Sequence, residues 1–121
     1  MKATDLMIGD LVFNNFLNKN IRITPFDFFS KYPKVIEGYD LEPILLTAEI
    51  LELNGWQYGD WGDEYESDEY FTNETIGFDL HINDKKEFEI RCVDAVNITL
   101  KYVHELQHAL KLCGIEKDIE L

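Results

Sequence analysis

The clearest pattern in the chain is a pair of alternating stretches. Ile76, Phe78, Leu80 and Ile82 fall on one side of an extended segment, with Gly77, Asp79 and His81 on the other. Phe88, Ile90 and Cys92 then alternate with Glu87, Glu89 and Arg91. A period of two is the signature of a strand with one buried face, and the intervening Asn83-Asp84-Lys85-Lys86 is turn chemistry, so the spacing predicts a hairpin. His81 is expected on its exposed face. Two shorter strands precede it near the N-terminus: Leu11-Val12-Phe13 after the Gly9-Asp10 turn, and Ile21-Arg22-Ile23-Thr24, ending near Pro25. The asparagines between them (Asn14, Asn15, Asn18 and Asn20) tolerate turn geometry.

Leu41 to Leu46 is extended, because Pro43 pushes its predecessor away from helical geometry. Thr47 stands as an N-cap and Glu49 in the first turn, opening a helix over 48–54 with Ile50, Leu51 and Leu53 as its apolar side. Gly55 stops it, and Trp56-Gln57-Tyr58 reads as a short strand. Val96, Ile98 and Leu100 alternate and run into the last helix, with Thr99 in an N-cap position. From Lys101 to Gly114 the period becomes helical. Tyr102, Val103, Leu106, Ala109, Leu110 and Cys113 share one broad face, His104, His108 and Lys111 lie opposite, and Glu105 sits on that side's flank. These elements predict one α+β domain over 1–121: a small curved antiparallel sheet, SH3-like in its N-terminal part, with two helices packed on it.

Charge changes this picture. The net charge is −13, and it is concentrated. From Val35 to Asp84 there are 14 of the 24 acidic residues and none of the 11 basic ones, leaving ten acids against eleven cations elsewhere. Such a surface repels phosphates and anionic lipid, which argues against direct nucleic-acid or membrane binding and favours a protein partner, a basic one included. The densest part, residues 59–74, interleaves Asp60, Asp63, Glu64, Glu66, Asp68 and Glu69 with Trp61, Tyr65 and Tyr70. A solvated loop between two strands is the common fate of such a run. An acidic and aromatic binding surface made of those nine residues is the functional reading. A calcium loop is not indicated, since the glycine precedes the acids instead of following them. The aromatic residues Phe26, Phe28, Phe29, Tyr32 and Tyr39 read as core filling, because a stacking platform for bases comes with a basic groove and Lys31 and Lys34 are thin supply.

Candidate chemistry is confined to His104-Glu105-Leu106-Gln107-His108, which fits the H-E-x-x-H pattern of zinc peptidases. Histidines four apart on a helix are close enough to share zinc, and Glu105 would be the general base. The extended pattern would put glycine at 111 and histidine at 114, where this chain has Lys111 and Gly114. A catalytic zinc needs a third protein ligand, and His81, the only other histidine, is expected on a polar strand face. Glu116, Asp118 and Glu120 follow Gly114, past the expected end of the helix. The string is therefore read as a packing helix whose histidines point away from the core, with no catalytic or metal ligand and no cofactor; the zinc hydrolase using His104, His108 and Glu105 is the alternative. The two cysteines form no C-x-x-C unit and read as reduced, buried thiols. With no secretory signal in MKATDLMIGD and no apolar run of spanning length, a cytoplasmic location is expected.

Three segments carry a family resemblance. Lys2 to Val12 (KATDLMIGDLV), Leu41 to Leu51 (LEPILLTAEIL) with Asn54-Gly55-Trp56, and Tyr102 to Leu110 (YVHELQHAL) with Cys113-Gly114-Ile115 resemble a family of small uncharacterised proteins in bacteroidete genomes, often associated with prophage or other mobile elements. The acidic stretch and much of 14–39 are its variable parts. The resemblance implies a last helix reading Tyr-aliphatic-His-Gln-Leu-Gln-Asn, without the glutamate and second histidine seen here, and it transfers no functional residue. The charge window and the incomplete catalytic set point to a non-enzymatic accessory or protein-interaction module acting through its acidic face, and the resemblance implies that its origin is a mobile element. A nucleic-acid mimic that blocks a DNA-binding protein is a further alternative. The oligomeric state is not legible.

Overall fold

The computed structural model describes residues 7, 9–15, 17–24, 41–63, 65, 68–91 and 97–121. Among them the chain is α+β, with two sheets of antiparallel strands and two helices. This corrects the expectation of a single sheet. The described residues belong to two compact units, Met1–Leu45 with Tyr102–Ala109, and Leu46–Lys101 with Leu110–Leu121. The aromatic run from Phe26 to Tyr39, with Pro25, Cys92 and Val96, lies outside the described residues.

In the first unit, β1 (Leu11–Asn14) is the central strand, flanked by β2 (Lys19–Arg22) and β3 (Leu41–Pro43). Leu11 pairs with Arg22 and Asn14 with Lys19, which closes the hairpin foreseen from the asparagines, and Asn18 takes a positive φ of 52° in its turn. Among the described residues Pro43 sits on an edge strand, where a missing backbone donor costs least. Val12, Ile23 and Leu41 are buried together, with Ile21 packed against them.

In the second unit, five strands run as a meander: β4 (Gln57–Asp60), β5 (Glu69–Thr72), β6 (Leu80–Ile82), β7 (Phe88–Ile90) and β8 (Ile98–Leu100). Strand β5 was not legible as one, and residues 61–68 connect it to β4. The alternation from Ile76 does not become a strand until Leu80. Asn73 captures the intervening segment instead, its Oδ1 accepting from Thr75 N (3.1 Å) and Thr75 Oγ1 (2.9 Å), while Ile76 N bonds Asn73 O. The β6–β7 turn is held as foreseen by Asn83, whose Oδ1 accepts from Lys85 N and Glu87 N. One sheet face carries Tyr58, Phe71, Leu80, Phe88 and Leu100, with Phe71, Leu80 and Leu100 buried.

Helix α1 (Ala48–Leu53) is capped by Thr47, whose hydroxyl accepts from Ile50 N at 3.3 Å. Of its three expected apolar residues only Leu51 is fully buried; Leu53 is exposed, a correction to the wheel reading. Asn54 ends the helix, Gly55 follows at φ 87°, and the Asn54 amide clasps the chain end by donating to Glu120 O (2.8 Å) and accepting from Glu120 N (2.7 Å). Beside that clasp Ile119 is buried. The last helix, α2 (Val103–Leu112), places residues 103–109 in the first unit and its final three in the second. Thr99 does not cap it: Thr99 lies in β8 opposite Glu89. Cys113 is free and exposed, which corrects the expectation that it is buried. Among the described residues no helix is long and apolar enough to cross a membrane.

Candidate functional site

The helix with the H-E-x-x-H string is built into the first unit more deeply than its sequence suggests. Val103, Leu106, Ala109 and Leu110 are buried as expected, but so are His104 (7% exposed) and Gln107, which corrects the expectation that the histidines point away from the core. The wheel weighs apolarity alone and does not register polar groups that find buried partners far along the chain. Gln107 accepts from Leu11 N at 2.8 Å and donates to Gly9 O at 3.1 Å, a two-point clamp on the turn before β1. His108 Nε2 lies 2.6 Å from Oδ2 of Asp10, a carboxylate with no exposed surface that also accepts from Met7 N at 2.7 Å. The His104 ring stacks on Tyr102 (5.9 Å, 8°) and meets His108 edge-on at 5.5 Å.

Glu105 takes a local role. Its Oε1 accepts from Tyr102 N at 2.9 Å. That is the reach-back half of a capping box, with Tyr102 at the cap and Glu105 three residues on, and it satisfies a donor that the start of a helix leaves open. Each polar residue of the string thus has an architectural partner or neighbour. Among the described residues no three His, Cys, Asp or Glu side chains form a group that could hold a metal ion. Asp10 and Gln107 were missed by the sequence reading; the only signals were a Gly-Asp turn and an amide beside the apolar stripe.

A second constellation lies on the other face of the five-stranded sheet. Gly59, Tyr70, His81, Glu89 and Thr99 are successive cross-strand partners, so their side-chain positions share that face. Trp61 and Asp68 extend it by one step of two along β4 and β5 and are themselves joined, Trp61 N donating to Asp68 O at 3.0 Å. The Trp61 and Tyr70 rings stack at 6.0 Å with 19° between planes, and Tyr70 meets His81 at 6.1 Å. Gly59 makes this arrangement fit: a Cβ there would lie 2.4 Å from the Tyr70 ring. Despite this contact Trp61 remains 77% exposed.

Charged groups border the rings. Arg91 Nη1 lies 3.2 Å from Asp68 Oδ1, and Arg91 Nε lies 3.4 Å from Glu89 Oε1. His81 Nδ1 stands 3.6 Å from the same Asp68 oxygen, outside hydrogen-bond reach. The Asn83 amide adds a long contact to Glu89 at 3.5 Å.

The structure distributes the nine residues of the expected surface unevenly. Trp61, Asp68 and Tyr70 come together on this face. Asp60 and Glu69 are opposite each other at the next register step, where alternation turns them to the Tyr58 side. Glu69 there accepts a hydrogen bond from Tyr58 and lies 3.8 Å from Lys86. Desolvation first, then that bond and the negative charges of Glu69 and Asp60, raise the Tyr58 hydroxyl above its ordinary value of 10.0. Asp60 and Asp63 fold the connection: Asp60 Oδ1 accepts from Gly62 N and Asp68 N, and Asp63 Oδ1 from Tyr65 N. Tyr65 is 90% exposed, and Glu64 and Glu66 lie outside the described residues. Arg91 and Glu89 were missed as site residues, although their outward phase in the alternating pattern already put them on the polar face with His81.

Such a face can hold a flat or cationic group against an aromatic surface and an anionic edge. Comparison with protein families, curated proteins and solved structures finds no match to the chain.

Proposed function

We propose that the chain is a non-enzymatic accessory module of mobile-element origin that binds a basic protein partner through the acidic and aromatic sheet face. One observation carries this reading: Trp61 is held by a ring stack on Tyr70 yet left 77% exposed, within a stretch that has no basic residue between Val35 and Asp84. An indole in that position forgoes the burial that stabilises most aromatic side chains, and aromatic residues at exposed, ordered positions are the common anchors of interfaces. The negative potential around it selects for cations and raises their rate of encounter. The family resemblance of the chain's ends supports the mobile-element origin. The architectural roles of Gln107, Glu105 and His108 support reading the H-E-x-x-H string as a packing helix.

The test is affinity capture with the wild-type chain and the double variant Trp61→Ala, Asp68→Asn, beside an unrelated acidic protein of matched charge. The expected result is a basic partner that the wild type retains and both controls lose. Equal recovery by the double variant, or no protein above the charge-matched control, counts against the proposal.

A further inference from the structure

The same face already holds one guanidinium of its own. Arg91 spans Asp68 and Glu89 at 3.2 and 3.4 Å, beside the Trp61–Tyr70 stack, and remains exposed. Guanidinium is the cation best suited to this setting, since it is planar, stays charged, stacks on aromatic rings and takes carboxylates through a fork of donors. Lysine's ammonium is a strongly hydrated point charge that gains less from a ring and an edge presented together.

We propose that this face is a receptor for an arginine side chain of the partner, and that Arg91 is its built-in competitor. This rests on the reading of the face as a basic-partner surface and deepens it by naming the recognised group. The incoming guanidinium lies on the exposed indole of Trp61 and takes the Asp68 carboxylate that Arg91 occupies in the unbound chain. Asp68 is suited to the exchange. It is directly across from Trp61, and its carboxylate is partly open, with 41% of the side chain exposed. An exposed ion pair of this kind contributes little to stability, so releasing Arg91 to solvent costs little. Gly59 sets the platform at a distance, because any larger residue there displaces Tyr70 and with it the ring on which Trp61 rests.

The test uses three capped peptides of one sequence that carry arginine, lysine or citrulline at the same two positions. Citrulline keeps the planar shape and removes the charge. Binding is followed by calorimetry and by the indole N–H resonance of Trp61. The arginine peptide is expected to bind and to shift that resonance, the lysine peptide to bind more weakly, and the citrulline peptide not to bind. Trp61→Leu, which retains an apolar side chain, is expected to weaken the arginine peptide on the order of tenfold.

Arg91→Gln provides the decisive arm. It is expected to tighten binding several-fold, whereas Lys86→Gln, which removes the same charge next to Glu69, is expected to change it much less. Equal gains from Arg91→Gln and Lys86→Gln overturn the competitor role in favour of general electrostatics. Arginine and lysine peptides that bind alike and ignore Trp61→Leu overturn the arginine receptor while leaving a basic-partner surface standing. Failure of every basic peptide to bind removes both.

Discussion

The helix from Val103 to Leu112 and the hairpin from Gln57 to Thr72 leave their polar side chains in opposite settings. The helix carries a string that looks like chemistry, and its polar residues are absorbed into architecture: Glu105 caps, Gln107 clamps and His108 meets a buried aspartate. The hairpin carries a charge run that looks like solvated loop, yet it sets Trp61, Asp68 and Tyr70 on one sheet face, where Arg91 meets Asp68. A short motif specifies residue types, whereas function depends on what those residues are left to do once the backbone's own requirements are met. On the helix the backbone makes the first claim on those groups. On the sheet face the backbone is satisfied by strand pairing, and the side chains remain available.

The contrast can be broken from the helix side first. Leu106→Ala removes a fully buried side chain and is expected to cost about 2–5 kcal/mol in denaturant unfolding, the largest single effect considered. Gln107→Ala leaves the Leu11 N–H without its acceptor and is expected to cost about 1–3 kcal/mol; a loss within error would mean that the clamp is incidental. Glu105 separates the two meanings of the string. Glu105→Ala should cost about 1 kcal/mol as a lost cap, while Glu105→Gln, which still accepts from Tyr102 N, should cost little. A catalytic base would fail equally in both variants.

On the sheet side the expected stability effects shrink while binding effects persist. Trp61→Ala should change stability by no more than about 0.5 kcal/mol, since the side chain is largely exposed, yet abolish partner capture. A large destabilisation would place Trp61 with the helix residues as a structural group. The smallest effect is at Tyr58. Its raised pKa means the folded chain holds the phenolic proton more tightly than the unfolded chain, so this group weakens the fold only as pH rises past 10.0. Glu69→Gln should lower its alkaline titration midpoint, read by ultraviolet absorbance, and an unmoved midpoint would remove Glu69 as a cause.

Local signals were legible wherever neighbouring residues settle the structure. Thr47 and Gly55 mark the ends of α1, Asn83 marks the β6–β7 turn, and the N-terminal hairpin follows from its asparagines. Strand β5 was hidden because Asp68, Glu69 and Tyr70 look like loop until β4 and β6 are placed on either side of them. Burial of His104 and Gln107 was hidden for the same reason: the partners of Gln107 lie at Gly9 and Leu11, nearly the whole chain away. The acid-rich surface could be foreseen as a composition. Its division into two sheet faces, with Asp68 on one and Glu69 on the other, depends on a register that runs from the Gln57–Thr72 pairing to Asp60–Glu69.

The ion pair between Arg91 and Asp68 also sets the terms of competition at equilibrium. A cation tethered to the same sheet is present at a fixed effective concentration that no dilution lowers. Free arginine, stray basic tails and counterions must all outcompete it one at a time, whereas a partner that brings further contacts pays that toll only once. The pair would therefore act as a threshold, keeping a strongly anionic surface quiet amid a crowd of weak cations and letting it respond to a ligand that engages several points together.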